Sequence, residues 1–210
     1  MGFWGEPFTG PDDHAGLALN TAGDLVALES DIDGLLNRHL GKKYDPQKSA
    51  LTIGVATGEM IVGNMGSASS MSFTVMGDVV NNASRLKGAS KQFGLPLLCS
   101  EETLKAAGDG HHFREVDRIL AMGMDQPMGV YQYLPELPAY EAYTPKTLKV
   151  YSDGLAAYRS GEWAAARELW ARFASTVPDD KAVKIMTARL EGLENSAAQD
   201  WTGVWQMTSK

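Results

Sequence analysis

Cysteine is almost missing from this chain. Cys99 is the single one among 210 residues, so no internal disulfide can form, and its apolar surroundings read as the setting of a small buried hydrophobe. Long apolar runs are also missing. None approaches the roughly 20 residues that a membrane-spanning helix requires, and the residues after Met1 form neither a signal nor a transit peptide. The segment reads as cytoplasmic, with any membrane anchor of a parent protein expected upstream. Positive charge is in short supply as well: 19 Lys and Arg face 26 Asp and Glu, a formal net charge of −7. That balance argues against a nucleic-acid or anionic-membrane partner. It leaves a nucleotide substrate open, because one local cation or a metal ion can override the global sign. What the chain does have is 44% hydrophobic and 21% charged residues, a mixture that folds around a core.

Three zones follow one another. From Met1 to Pro135, helical and strand patterns alternate. Leu17, Leu25, Val26, Leu28, Ile32, Leu35, Leu36 and Leu40 recur at helical steps and predict one amphipathic helix from Asp12 to Leu40, capped by Asp12 or Asp13. Leu51–Thr57 and Met60–Asn64 read as strand interrupted at Gly58, and Ser72–Met76 as a short strand. A helix over Val79–Phe93 is closed by Gly94. Leu95–Cys99 is strand, Ser100 caps a short helix, and Phe113–Ile119 and Val130–Leu134 form a closing pair. This alternation predicts an α/β (α+β) fold in which helices pack on a sheet. Residues 136–146 read as a proline- and tyrosine-rich linker. Residues 147–210 read as a helical tail loosely similar to one tetratricopeptide unit, with breaks at Gly161 and a cap at Pro178-Asp179-Asp180. One such unit cannot bury both its faces, so the tail is expected to pack on the first zone. The apolar run Trp201-Thr202-Gly203-Val204-Trp205 is expected to dock as well.

The chemistry concentrates between Ile53 and Arg85. Asn81 and Arg85 stand four apart on a helix that starts at Gly77-Asp78, so they share a face one turn from its N-terminus. A carboxamide and a guanidinium beside a positive helix end suit an anion such as phosphate. Spacing alone favours the plainer arrangement in which both side chains point into water, since such pairs are common on helices. His111 and His112 are adjacent and point opposite ways in a strand, which disfavours a shared metal. Asp12, Asp13 and His14 are accounted for by a helix start, and Glu101-Glu102 by a first helical turn.

The run Thr74-Val75-Met76-Gly77-Asp78-Val79-Val80-Asn81-Asn82-Ala83-Ser84-Arg85 resembles the T-V-x-G-D-x-V-N-x-A-S-R run of class III adenylyl and guanylyl cyclases. Ile53–Gly66 is similar to that family's I-G-I-x-T-G-E-x-V-V-G-N-x-G strand, Phe113–Arg118 to its F-R-E-x-D-R strand, and Met1–Pro7 to its M-A-F-W-G-x-P. The resemblance implies a palm-type, ferredoxin-like domain over residues 1–135, with a mostly antiparallel sheet and helices on one side, followed by the helical tail. It implies conversion of ATP to cyclic AMP and pyrophosphate. By position, Asn81 would orient the ribose, Arg85 would neutralise the α-phosphate in the transition state, and Thr74 would recognise the base, a threonine suiting adenine. Asp78 would cap the helix.

Two departures accompany the resemblance. The family's two metal-binding aspartates, which hold Mg²⁺ or Mn²⁺, and its base-pairing lysine belong on segments expected upstream of Met1. This chain is therefore expected to lack its first strands and to be inactive alone. Second, Met122 stands where the family has a triphosphate-gripping lysine. The family's sites form between two subunits, which implies a head-to-tail homodimer with this chain supplying the transition-state half. A catalytically inactive regulatory partner, or a scaffold using the helical tail, are the alternatives.

Overall fold

The computed structural model describes residues 1–10, 12–41, 51–67, 70–195 and 200–207. Its elements in chain order are α1 (His14–Ala27), α2 (Glu29–Leu40), β1 (Ile53–Val55), β2 (Ile61–Ser67), β3 (Ser70–Met76), α3 (Asp78–Phe93), β4 (Leu97–Ser100), α4 (Glu101–Ala107), β5 (Phe113–Leu120) and β6 (Met128–Tyr133). The tail adds α5 (Pro145–Arg159), α6 (Trp163–Thr176), α7 (Lys181–Asn195) and a short β7 (Trp205–Gln206).

The strands form a five-stranded sheet in the order β1-β4-β6-β5-β7 and a separate β2-β3 hairpin. Pairing is antiparallel for β4-β6, β5-β6 and β2-β3, and parallel for β1-β4 and β5-β7. Side chains alternate across β4, and this divides the core in two. Leu97 and Cys99 join Leu19, Ala22 and Tyr133 on the α1 face. Leu98 joins Leu86, Ala89 and Phe93 of α3 on the other face. Helices therefore cover both faces, where one was expected.

The single helix anticipated from Asp12 to Leu40 is two helices, divided at Leu28. The apolar spacing runs through the break unchanged, so it carries no sign of it. Burial does change there. Ala15, Ala18, Leu19 and Ala22 of α1 are buried, whereas Ile32, Leu35 and Leu40 of α2 are exposed. Asp13 occupies the α1 cap position without a side-chain bond to the helix.

The tail docks on the sheet, and α5–α7 share one apolar core with β4, β5 and α3. Strand β5 supplies the polar half of that contact. Arg114 Nη2 lies 2.6 Å from Asp180 Oδ2, while its Nε donates to Gln132 Oε1 at 2.7 Å and its guanidinium stacks 4.7 Å from the Tyr151 ring. Asp180 also caps α7 by accepting from the Val183 amide at 2.8 Å. Arg189 of α7 pairs with Asp117 at 3.0 Å, and Arg159 of α5 with Glu115 at 2.7 Å. The linker is held down too, since the Tyr143 hydroxyl donates to Asp180 Oδ2 at 2.7 Å.

Candidate active site

Two glycines fix the position of α3. The ideal Cβ of a side chain at Gly54 in β1 would stand 2.2 Å from the Ala83 carbonyl oxygen and 2.4 Å from the Lys87 nitrogen. The helix therefore lies backbone against backbone on the strand, a closeness that only glycine permits. Gly77, at φ +152° with the Glu59 carbonyl 3.0 Å from a would-be Cβ, turns the chain from β3 into the helix. Gly77 thus takes the cap position, and Asp78 lies one residue later in the first turn with no side-chain cap bond. The expected capping role of Asp78 is replaced by a charge–dipole one, a carboxylate beside a positive helix end.

Arg85 is half-buried and held from two sides. Its Nη1 donates to Asn82 Oδ1 at 3.0 Å and its Nη2 to the Gly123 carbonyl at 3.4 Å. Two of the five N–H donors of a guanidinium are thereby used, and three remain for a ligand. Asn81 is exposed one turn earlier on the same helix. Thr74 is half-buried in β3, opposite Gly63 in the hairpin register. No hydrogen bond joins Thr74 to Asn81 or Arg85. Met122 is 55% exposed and adjoins the glycine that Arg85 contacts. The structure thus brings Arg85 and the Met122 loop together, and leaves Thr74 on a separate hairpin.

Asn82 escaped the reading of the sequence. The available signal is an amide at i, i+3 from the arginine, a helical neighbour that the i, i+4 pair of Asn81 and Arg85 does not include. Below the start of α3 lies a cleft of about 380 Å³ lined by Thr57, Glu59, Asp78, Asn82, Glu101 and Met124. Glu101 there is paired with Lys105 at 2.7 Å, and that partner lowers its pKa. Among the described residues no three His, Cys, Asp or Glu side chains gather as a metal-ligand set. The described residues by themselves do not make up a ligand set for a resident ion. His111 packs 5.7 Å from the Tyr133 ring and 6.4 Å from Phe113. The Cys99 thiol, fully buried, is pushed up to about 12 by burial and is not a nucleophile.

Among the described residues no helix is long and apolar enough to cross a membrane. No family model matches the chain. Adenylate cyclase 1 of Rhizobium meliloti is 34% identical over 79 residues, which are 38% of this chain and 12% of that protein. The adenylyl cyclase CyaB structure from P. aeruginosa superposes with a TM-score of 0.50 at 26% identity, covering 64% of this chain and 66% of that one. The guanylyl cyclase Cya2 structure gives a TM-score of 0.51 at 23% identity and 66% coverage of both chains, a likeness of fold. The chain matches only about an eighth of the length of the first of these relatives. Uncommon motifs in matching order, related sequences and a shared fold together make this chain similar to the catalytic domains of adenylyl and guanylyl cyclases.

Proposed function

We propose that this chain supplies the transition-state half of an adenylate cyclase site, with Asn81 and Arg85 acting on ATP and Thr74 reading its base. Cyclisation forms a bond from the ribose 3′ oxygen to the α-phosphorus while the bond to pyrophosphate breaks, so negative charge grows on the α-phosphate oxygens. A fixed cation at that point lowers the barrier more than one that must first be ordered. The observation that carries the reading is the anchored guanidinium. Arg85 is held by Asn82 and Gly123 with three N–H donors left over. Asn81, exposed on the same helix, offers the ribose a carboxamide that can both donate and accept. Thr74 can donate to and accept from the adenine edge, which favours ATP over GTP with modest discrimination.

The remaining ligands come from a second copy. In this reading a head-to-tail homodimer of the intact protein joins Arg85 of one subunit to metal-binding aspartates of the other, which would hold Mg²⁺ or Mn²⁺, an ion that would supply activation of the 3′ hydroxyl. The test is complementation. This chain is mixed with a longer copy that includes the upstream aspartates and carries Asn81→Ala and Arg85→Ala. Cyclic AMP should form from ATP, and less cyclic GMP from GTP. Association of the two proteins without any cyclic nucleotide would show that these residues do not play the assigned part.

A second reading has its own observation. Met122, 55% exposed, offers a thioether where a triphosphate calls for a cation, which favours a catalytically inactive regulatory partner that dimerises with a competent cyclase.

A further inference from the structure

The loop that steadies Arg85 is itself held by the far end of the chain. Arg85 leans on the Gly123 carbonyl. Gly123 sits at φ +76° in a turn closed by the Met124 amide donating to Ala121 at 3.1 Å. That turn leaves directly from the end of β5. There β7 pairs in parallel, Ile119 with Trp205 and Leu120 with Gln206, and the Met207 amide donates to the Leu120 carbonyl at 3.0 Å. Only Ala121 and Met122 separate Leu120 from Gly123, whose carbonyl Arg85 uses.

The approach to β7 is equally well fastened. Trp201 Nε1 donates to the Tyr158 carbonyl at 3.0 Å, and the two rings meet edge-on at 4.9 Å. Gly203, at φ +76° with the Arg159 carbonyl 3.1 Å from a would-be Cβ, allows the turn that follows. The Trp205 ring then covers the Arg189 guanidinium at 4.2 Å, with the Phe93 ring at 4.6 Å. Arg189 in turn grips Asp117 on β5 at 3.0 Å. Residues 201–207 thus hold the outgoing end of β5 through one strand pairing and one stacked ion pair.

We propose that the docked segment Trp201–Met207 is a positioning device for Arg85, setting the place of the Ala121–Met124 turn on which that guanidinium rests. The proposal builds on the reading of Arg85 given above. Trp205 touches no reacting atom and acts through β5. Undocking the segment leaves the end of β5 held by β6 alone, the turn loosens, and Arg85 loses one of its two anchors while Asn82 keeps the other. Substrate binding that depends on other groups persists, and the chemical step slows.

The test uses the full chain with Trp205→Ala, Trp205→Phe and, as a control elsewhere in the tail, Gly154→Ala. Gly154 abuts Trp170, with a would-be Cβ 2.5 Å from its Nε1, so its replacement disturbs the tail without touching β7. Amide hydrogen exchange of residues 120–124 is followed, alongside kcat and KM in the complementation assay. For Trp205→Ala, exchange should quicken at 120–124 and kcat should fall by roughly tenfold to a hundredfold with KM nearly constant. Trp205→Phe, which keeps an aromatic face over Arg189, should recover most of both. Unchanged protection at 120–124 in Trp205→Ala overturns the proposal. A loosened turn with unchanged kcat also overturns it, provided that Arg85→Ala abolishes turnover. The same loss of kcat in Gly154→Ala reduces the segment to general tail stability and overturns it as well. If Arg85→Ala leaves turnover intact, the catalytic reading fails instead, and the exchange data alone decide whether the segment holds the turn.

Discussion

Replacing Gly54 by alanine is the sharpest perturbation of the geometry that presents Asn81 and Arg85. The new Cβ would meet the Ala83 carbonyl oxygen at 2.2 Å and the Lys87 nitrogen at 2.4 Å. Carbon–oxygen contacts settle at about 3.3 Å or more, so α3 must retreat from β1 by roughly 1 Å. Both atoms are backbone and cannot swing aside as a flexible side chain would. Overpacking of this kind costs about 1–3 kcal/mol. For a chain of this length that corresponds to a fall in melting temperature of roughly 2–12 °C. Because Arg85 rides on α3, a displacement of about 1 Å should also lower turnover in the complementation assay by around a hundredfold. Gly63→Ala is the control, since no atom lies within 4 Å of its would-be Cβ, and its effect should stay within about 1 kcal/mol. Thermal unfolding by circular dichroism compares the two. If Gly54→Ala melts together with wild type and Gly63→Ala, the backbone-on-backbone contact does not hold the helix in place, and the account of how α3 is positioned is wrong.

Two further outcomes follow from particular side chains. Met122→Lys should tighten ATP binding to the dimer severalfold if the active reading holds, because an exposed ammonium beside the Arg85 loop adds a partner for the triphosphate. Isothermal titration reads this directly, and an unchanged affinity favours the inactive-partner reading. Burial raises the Asp117 carboxyl from 3.8 to about 6, against the pull of Arg189, and burial likewise lowers the pKa of Arg189. The folded state then holds this proton more tightly than the unfolded one. The contribution is present in full below about pH 4 and is lost as pH rises through about 6, at most on the order of 3 kcal/mol. Urea unfolding of wild type against Asp117→Asn at pH 5 and pH 7 should show wild type losing relative stability at the higher pH. A relative gain would mean that the attraction of Arg189 outweighs burial.

Much of the first zone was legible because its signals are local. Gly94 ends α3 in the left-handed region at φ +64°, as a glycine after an apolar helix suggests. Ser100 caps α4 by accepting from the Thr103 amide at 3.3 Å, a geometry that its position before two glutamates foretells. Asp180 does the same for α7. The break at Leu28 was not legible, because hydrophobic periodicity records which side of a helix is apolar and not where its burial stops. Nor was the division of helices between two faces of the sheet. It depends on which neighbour each residue of β4 meets, information that pairing supplies and a four-residue run does not.

The site was legible to a different depth. Asn81 and Arg85 could be placed on one helical face from spacing, yet nothing in the spacing shows that Gly123, 38 residues later, receives the arginine. The stretch Phe113–Arg118 illustrates why such couplings stay hidden. Read as a strand, it leaves its four charges without assigned partners; read as a family run, it is a signature. In the fold its charged residues reach two tail helices at three points, Arg114 meeting Asp180 at the start of α7, Glu115 meeting Arg159 on α5, and Asp117 meeting Arg189 further along α7. Buried ion pairs such as Arg114 with Asp180 gain little net stability over apolar packing, but losing one partner strands the other charge. The strand is thus committed to this tail, and the same strand delivers the turn against which Arg85 rests. A change in the tail is therefore felt at the guanidinium through β5, with no need for the tail to approach the nucleotide.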